Sequence, residues 1–199
     1  MRFITLVTLL LFGSVAKASD PQQLLQQAAD NIIELLEQNK QQLAVDETLA
    51  PAIVRENLLP LVDTLGLGKR LLTRKVWPTL SGSQQQRFTD AFVDHLINTY
   101  ANGLANYDGH KFHFIKTNYS SSGKTAWVYS ELISKQQERF SIIYTLKLMD
   151  HYPDWRVVDV SIEGIKILQN YREQLKSVDV SEGFDALLAK IETKTESTP

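Results

Sequence analysis

An α+β fold is predicted for this chain of 199 residues, with several helices laid over a curved antiparallel sheet of four strands or slightly more. Three observations carry it. Apolar residues recur at helical spacing through the first half, the period shortens to two after Asp108-Gly109, and helical spacing returns after Gly164. The period-two segments are joined by short polar connections, which makes neighbouring strands antiparallel hairpins. Helices grouped before and after a strand meander, rather than alternating with strands, place a helical layer on one face of a sheet. No repeat or linker divides the chain, so residues 19–199 read as one domain.

The elements follow in order. Met1-Arg2, the apolar run Phe3–Val15 and the small-x-small triplet Ala16-Lys17-Ala18 read as a secretory signal peptide over residues 1–18. No Cys follows the run, which excludes a lipoprotein anchor. Removal leaves nineteen Lys and Arg against 23 Asp and Glu, a charge of −4, on an expected exported and soluble protein. Asp20-Pro21 opens a helix with Leu24, Leu25, Ala28, Ala29, Ile32, Ile33 and Leu36 on a broad apolar face. A second helix is expected over Pro51–Leu65, ended by Gly66 and Gly68, and a short one over Leu71–Trp77, stopped by Pro78. Ser81-Gly82-Ser83 caps the longest helix, Gln84 to about Asn106, on which Phe88, Phe92, Leu96 and Tyr100 recur every four residues. Strands are expected at Lys111–Asn118, Ala126–Lys135, Arg139–Met149 and Trp155–Glu163. Helices resume at Ile165–Lys176 and, capped by Ser181, run through Ile191 before a polar tail at 193–199.

Composition narrows the chemistry. A chain 43% apolar and 22% charged has a globular balance. With 21 Lys and Arg against 23 Asp and Glu, a strongly basic nucleic-acid binder is not indicated. The absence of Cys removes disulfides, thiol nucleophiles and iron–sulfur clusters. His110 and His113 point to opposite faces of a strand, His95 lies beside Asp94 on a helix, and no HExxH spacing occurs, so no metal site is assigned. No nucleophile elbow or phosphate loop is present, and no catalytic residue is assigned. Asp90 and Asp94 are one helical turn apart and read as a solvated pair, with acid–base work as the other reading. Lys69, Arg70, Arg74 and Lys75 read as a solvated basic helix end, or as a neighbour of a phosphate or partner surface.

What the chain has in excess is apolar surface. A Phe- and Tyr-rich helix face confronts strands with Phe140, Ile142, Tyr144, Leu146 and Leu148 on one face, and Val158, Val160 and Ile162 on another. Such faces form either an ordinary packed core or an apolar ligand cavity between helices and sheet. Periodicity does not separate the two.

The run Trp155-Arg156-Val157-Val158-Asp159-Val160-Ser161-Ile162-Glu163-Gly164-Ile165, continued by Asn170-Tyr171-Arg172-Glu173-Gln174-Leu175, resembles the strand-to-helix signature of the MlaC family. Gln86-Arg87-Phe88, Phe92, Leu96 and Tyr100-Ala101-Asn102-Gly103-Leu104 resemble that family's long helix. Lys166 departs from it, standing where a small polar residue is expected at the helix entrance. The resemblance implies a periplasmic phospholipid carrier of the maintenance-of-lipid-asymmetry system, with diacyl phospholipid as cargo and no cofactor. It further implies a monomer docking transiently to an inner-membrane ABC transporter complex and an outer-membrane lipoprotein/porin complex. Expected lipid-binding wall residues are Leu72, Val76, Trp77, Phe92, Leu96 and Tyr100 from helices. From strands they are Val128, Ile142, Tyr144, Leu146, Val158, Val160 and Ile162. Two other readings remain at this point. A cup-shaped α+β isomerase or dehydratase would place an acid of raised pKa inside the cavity. A protein-binding adaptor would show a filled core and an exposed apolar patch.

Overall fold

A computed structural model of the chain describes residues 18–105, 109–176 and 183–192. The expected signal sequence up to Lys17, the end of the long helix at Asn106, the Ser181 cap and the tail at 193–199 lie outside the described residues. Helix α1 spans Pro21–Gln38, and the Asp20 carboxylate accepts the backbone N–H groups of Gln22 and Gln23 at 2.9 Å. A turn of helix not read from the sequence, α2, follows at Lys40–Leu43.

The single helix expected over Pro51–Leu65 is divided. Helix α3 covers Leu49–Leu58, a 3₁₀ turn covers Leu59–Leu61, and α4 covers Thr64–Leu71. Pro60 has no backbone donor to continue α3, and Asp63 starts the next helix by accepting the Gly66 N–H at 3.0 Å. Gly66 and Gly68 therefore lie inside α4 rather than ending a helix. Gly68 answers to space, since a Cβ there would stand within 2.7 Å of both the Trp77 ring and Thr89 Oγ1. The short helix expected at Leu71–Trp77 is replaced by the end of α4 and a 3₁₀ turn, Trp77–Thr79, that contains Pro78. Helix α5, Gly82–Ala105, begins with a reciprocal cap: Ser81 Oγ accepts the Gln84 N–H, and the Gln84 side chain accepts the Ser81 N–H at 2.9 Å.

The sheet is an antiparallel meander in the order β1–β5, with β1 Lys111–Tyr119, β2 Thr125–Ile133, β3 Arg139–Lys147, β4 Arg156–Ile162 and β5 Ile165–Lys166. Register shifts between Phe114 and Lys116 and between Thr145 and Leu146 mark bulges, which bend and twist the strands that carry them. Glu163 and Gly164 both have positive φ, 50° and 81°, and form a tight hairpin turn. Ile165 and Lys166 consequently pair back onto Ile162 and Ser161 instead of beginning a helix. Helix α6 starts one step later, at Ile167–Leu175, and α7 covers Phe184–Glu192.

Three apolar clusters hold these layers. One joins α3, α4, α5, α6 and α7 around Phe88, Phe92, Leu71 and Leu187. A second seats α1 on the sheet, through Leu25 against Ala126, Val128, Leu146, Trp155 and Val157. The third packs Ile32 and Leu36 of α1 against Leu43, Ala50 and Ile53.

A polar node joins helices to sheet. Asp63 is 1% exposed, and its carboxylate takes hydrogen bonds from Arg70 Nη1 at 2.5 Å and from the Tyr152 hydroxyl at 3.0 Å. Its backbone N–H donates to the Val157 carbonyl at 3.0 Å, beside a parallel bridge between Val62 and Val157. Burial pushes the Asp63 carboxyl upward, but Arg70, the Gly66 N–H and Tyr152 together hold it below the usual carboxylate value. The unfolded chain therefore binds more protons in acid. The stabilisation is full above about pH 4, the unfolded-state value, and is lost as pH falls through the lower folded value. Asp63→Ala should cost about 2–4 kcal/mol, discounted for the partial exposure of Arg70. Asp63→Asn should flatten the acid limb of stability against pH in chemical denaturation.

Candidate functional site

The three clusters do not merge, and a chamber of about 300 Å³ lies between them. That volume is at the lower end of the range for small-molecule sites. Helix α1 contributes Leu25, Ala28, Ala29, Ile32 and Ile33; α3 and the turn after it contribute Val54, Leu58, Leu59 and Val62. Helix α5 supplies Val93, Leu96, Ile97, Tyr100 and Ala101. The sheet supplies Phe112, Tyr144, Val157, Val158, Val160 and Ile162, and α6 adds Ile167 and Leu168. Tyr100 is 42% exposed, so part of this wall reaches solvent.

Of the wall residues expected from the sequence, Leu96, Tyr100, Tyr144, Val158, Val160 and Ile162 stand together here. The others lie elsewhere. Phe92 is fully buried in the helical cluster, with its ring edge-on to Tyr171 at 5.0 Å, and Leu72, Val76 and Trp77 belong to the same cluster. Val128 and Leu146 are fully buried under Leu25 of α1, in solid core, and Ile142 is buried outside the chamber wall. The α1 and α3 contribution was missed. Its signal was present: Ala28-Ala29 and Ile32-Ile33 make the apolar stripe of α1 wider than one packing contact needs.

Among the described residues, Asp159 is the one charged residue lining the chamber. Its carboxylate is engaged, accepting the backbone N–H of Val160 at 2.9 Å and of Leu168, in the first turn of α6, at 3.3 Å. Elsewhere, Asp94 pairs with Arg55 at 2.5 Å and Asp90 accepts from Gln86, both at the exposed surface. His95 is buried, with Nε2 2.8 Å from the Tyr171 hydroxyl. Among the described residues no three His, Asp or Glu side chains are grouped to hold a metal.

Two phenols register how dry the interior is. Burial raises Tyr144 to about 12, against a smaller opposing effect of its hydrogen bond with Ser130. Tyr171 is also raised to about 12, by burial first and then by neighbouring Tyr100.

A helical layer and a curved antiparallel sheet around a hydrocarbon-walled chamber define the class, an α+β protein with an internal apolar cavity. The chain belongs to the MlaC family, whose sequence model, described as MlaC protein, matches residues 26–193. It is 22% identical, over 96% of its length and 89% of the relative's, to the intermembrane phospholipid transport system binding protein MlaC of Haemophilus influenzae. It is 25% identical to the toluene tolerance protein ttg2D of Pseudomonas putida, over 84% of this chain and 77% of that one. A phospholipid-binding protein from Ralstonia solanacearum, solved in complex with a phospholipid, has the same fold, with a TM-score of 0.78 at 21% identity. The match covers 89% of this chain and 97% of that one.

Alkaline titration tests the dryness of the interior. Followed by phenolate absorbance, Tyr144 and Tyr171 should ionise near 12, above the value of about 10 for a phenol in the unfolded chain, and Tyr144→Phe should remove one late phenol. Between those values the folded protein keeps protons the unfolded chain has released. Stability from these groups should be full below about pH 10 and fall as pH rises through 12.

Proposed function

We propose that the protein is a periplasmic phospholipid carrier that moves lipid between an outer-membrane lipoprotein/porin complex and an inner-membrane ABC transporter complex. The observation that carries this reading is the chamber: an almost wholly hydrocarbon wall whose one carboxylate among the described residues, Asp159, is engaged with backbone N–H groups. That arrangement favours cargo over catalysis, since an acid–base enzyme needs a proton-transferring group aimed into its cavity. The names of the relatives, a transport-system binding protein and a toluene tolerance protein, support it. So does the phospholipid held by the structural neighbour. The signal peptide expected from the sequence of residues 1–18 supports export.

The physical need for a carrier is large. Burying hydrocarbon stabilises by about 0.8 kcal/mol per CH₂, so two chains of roughly fifteen carbons amount to on the order of 20 kcal/mol. Lipid with both chains exposed does not cross an aqueous gap at useful rates, whereas transfer between docked cavities never exposes the chains. The headgroup stays near solvent and adds little, so headgroup selectivity is weak. Contacts with each membrane complex are modest in area, and the carrier itself is monomeric.

Native mass spectrometry of the protein from its own periplasm should show near one diacyl phospholipid per chain, and organic extraction should release it. Recovery without stoichiometric lipid would count against the carrier. Val160→Trp tests the wall directly, because Val160 lines the chamber and pairs across strands with Tyr144. In close-packed core the larger ring would cost about 1–3 kcal/mol. At a chamber wall it takes space meant for acyl chain. The variant should melt close to delipidated wild type yet carry little lipid; strong destabilisation with wild-type lipid content would remove Val160 from the wall.

A further inference from the structure

The opposite face of the sheet carries a second concavity of about 1240 Å³. Trp127, Tyr129, Ile143 and Thr145 line it from β2 and β3, with Trp77 and residues of α4 and α6 beside them. Five exposed cations line it as well: Lys69, Arg74, Lys147, Lys166 and Arg172. None of the five forms an ion pair among the described residues. The acids nearby are already engaged. Asp159 accepts two backbone N–H groups, and Glu173 holds Lys176 at 2.7 Å. The β1 bulge brings Lys116 to the same face, 4.9 Å from the centre of the Tyr129 ring.

We infer that this groove is a docking site for an acidic segment of a partner protein. Charge complementarity is the first argument: on a chain of net charge −2, five cations without an ion pair among the described residues reverse the local sign around one concavity. Shape is the second. A protruding loop or strand enters a concave groove, whereas a flat bilayer meets only its rim. The third is the floor, where Trp, Tyr and Ile supply the apolar area on which docking energy concentrates, and the cations steer approach. Strand alternation separates this surface from the cargo, because Tyr144, Val160 and Ile162 face the chamber while Trp127, Tyr129 and Ile143 face the groove. Among the described residues, Val158, Asp159 and Leu168 alone border both. The inference rests on the carrier reading for its purpose, but its binding event is measured apart from the lipid.

The test uses the purified protein and a fluorescein-labelled peptide of mixed Glu, Asp and Leu, read by anisotropy, with bound lipid quantified in the same preparations. Wild type should bind the peptide and lose at least about tenfold in affinity between low salt and roughly 0.3 M salt. Lys69→Glu/Lys147→Glu/Arg172→Glu should bind at least about tenfold more weakly. The milder triple Gln variant should fall between, and all three proteins should carry equal lipid. Failure of wild type to bind the peptide overturns the inference. So does undiminished binding by the Gln variant, or by a charge-reversed variant that melts like wild type. Tighter binding to phosphatidylglycerol vesicles or to a single-stranded oligonucleotide overturns it too. Absence of lipid from wild type that still binds peptide overturns the carrier and leaves the groove standing.

Discussion

The chamber depends on one buried carboxylate. Asp63 sits where the turn after α3 meets the start of α4, and through Arg70, Tyr152 and Val157 it fixes that joint to both the helical layer and the first half of β4. Leu59, Val62 and Leu67, on either side of it, and Val157, opposite it, are chamber wall. Burying a charge is costly unless every lone pair is answered, and here the answering groups come from α4, the β3–β4 connection and the helix's own N-terminus. A node built this way holds two apolar walls at a fixed separation without filling the space between them. Apolar contacts alone would tend to close it, because protein interiors pack densely and voids forfeit contact energy.

The surrounding core is correspondingly solid. Phe88, Phe92, Leu71 and Leu187 are at most 2% exposed on the helical side, and Ala126, Val128 and Leu146 are fully buried on the sheet side. Part of the chamber's border is held less tightly, with Ala28, Ile33, Leu58 and Leu96 only partly buried. Phe88, Phe92 and Trp155 hold the layers, and the chamber wall is mostly aliphatic, with the Tyr100, Phe112 and Tyr144 rings set into it. This explains why the aromatic face of α5 turned out to be two faces. Phe88 and Phe92 lock α5 to α4, α6 and α7, while Leu96 and Tyr100, one and two turns later, border the chamber.

Much of the fold could be read from the sequence because it rests on local rules. The Asp20 cap, the Ser81–Gln84 cap, the four long strands and their antiparallel order each follow from spacing and turn chemistry. The errors share one cause. Gly66 and Gly68 read locally as helix terminators, but Gly68 is required by a Trp77 ring that approaches from outside α4. Ile165 read as a helix start because Glu163 at positive φ is unusual, and only the pairing onto Ile162 reveals the hairpin. The site was half legible for the same reason. Periodicity identifies which residues share a face, as it did for Tyr144, Val160 and Ile162. It does not say what lies opposite, and Val128 and Leu146, on the same sheet face, meet α1 and become solid core.

The period of two has a further consequence. Along β2, β3 and β4 the alternate residues that do not face the chamber or its flanking core form an aromatic and basic surface, so one sheet serves two solvents. Cargo held by hydrocarbon is insensitive to salt and gains nothing from charge, whereas a docking contact that must form quickly and break again gains from both. Separating the two by the thickness of a sheet lets each be tuned independently. It also limits where they couple. Val158, Asp159 and Leu168 form the shared wall, and Asp159 ties β4 to the first turn of α6. Asp159, accepting the Leu168 N–H, is the polar part of the contact that β4 makes with α6 along this wall, beside the apolar Val158 and Leu168. On the carrier reading proposed above, with the groove as the docking surface, this shared wall is where contact with a partner would reach the cargo.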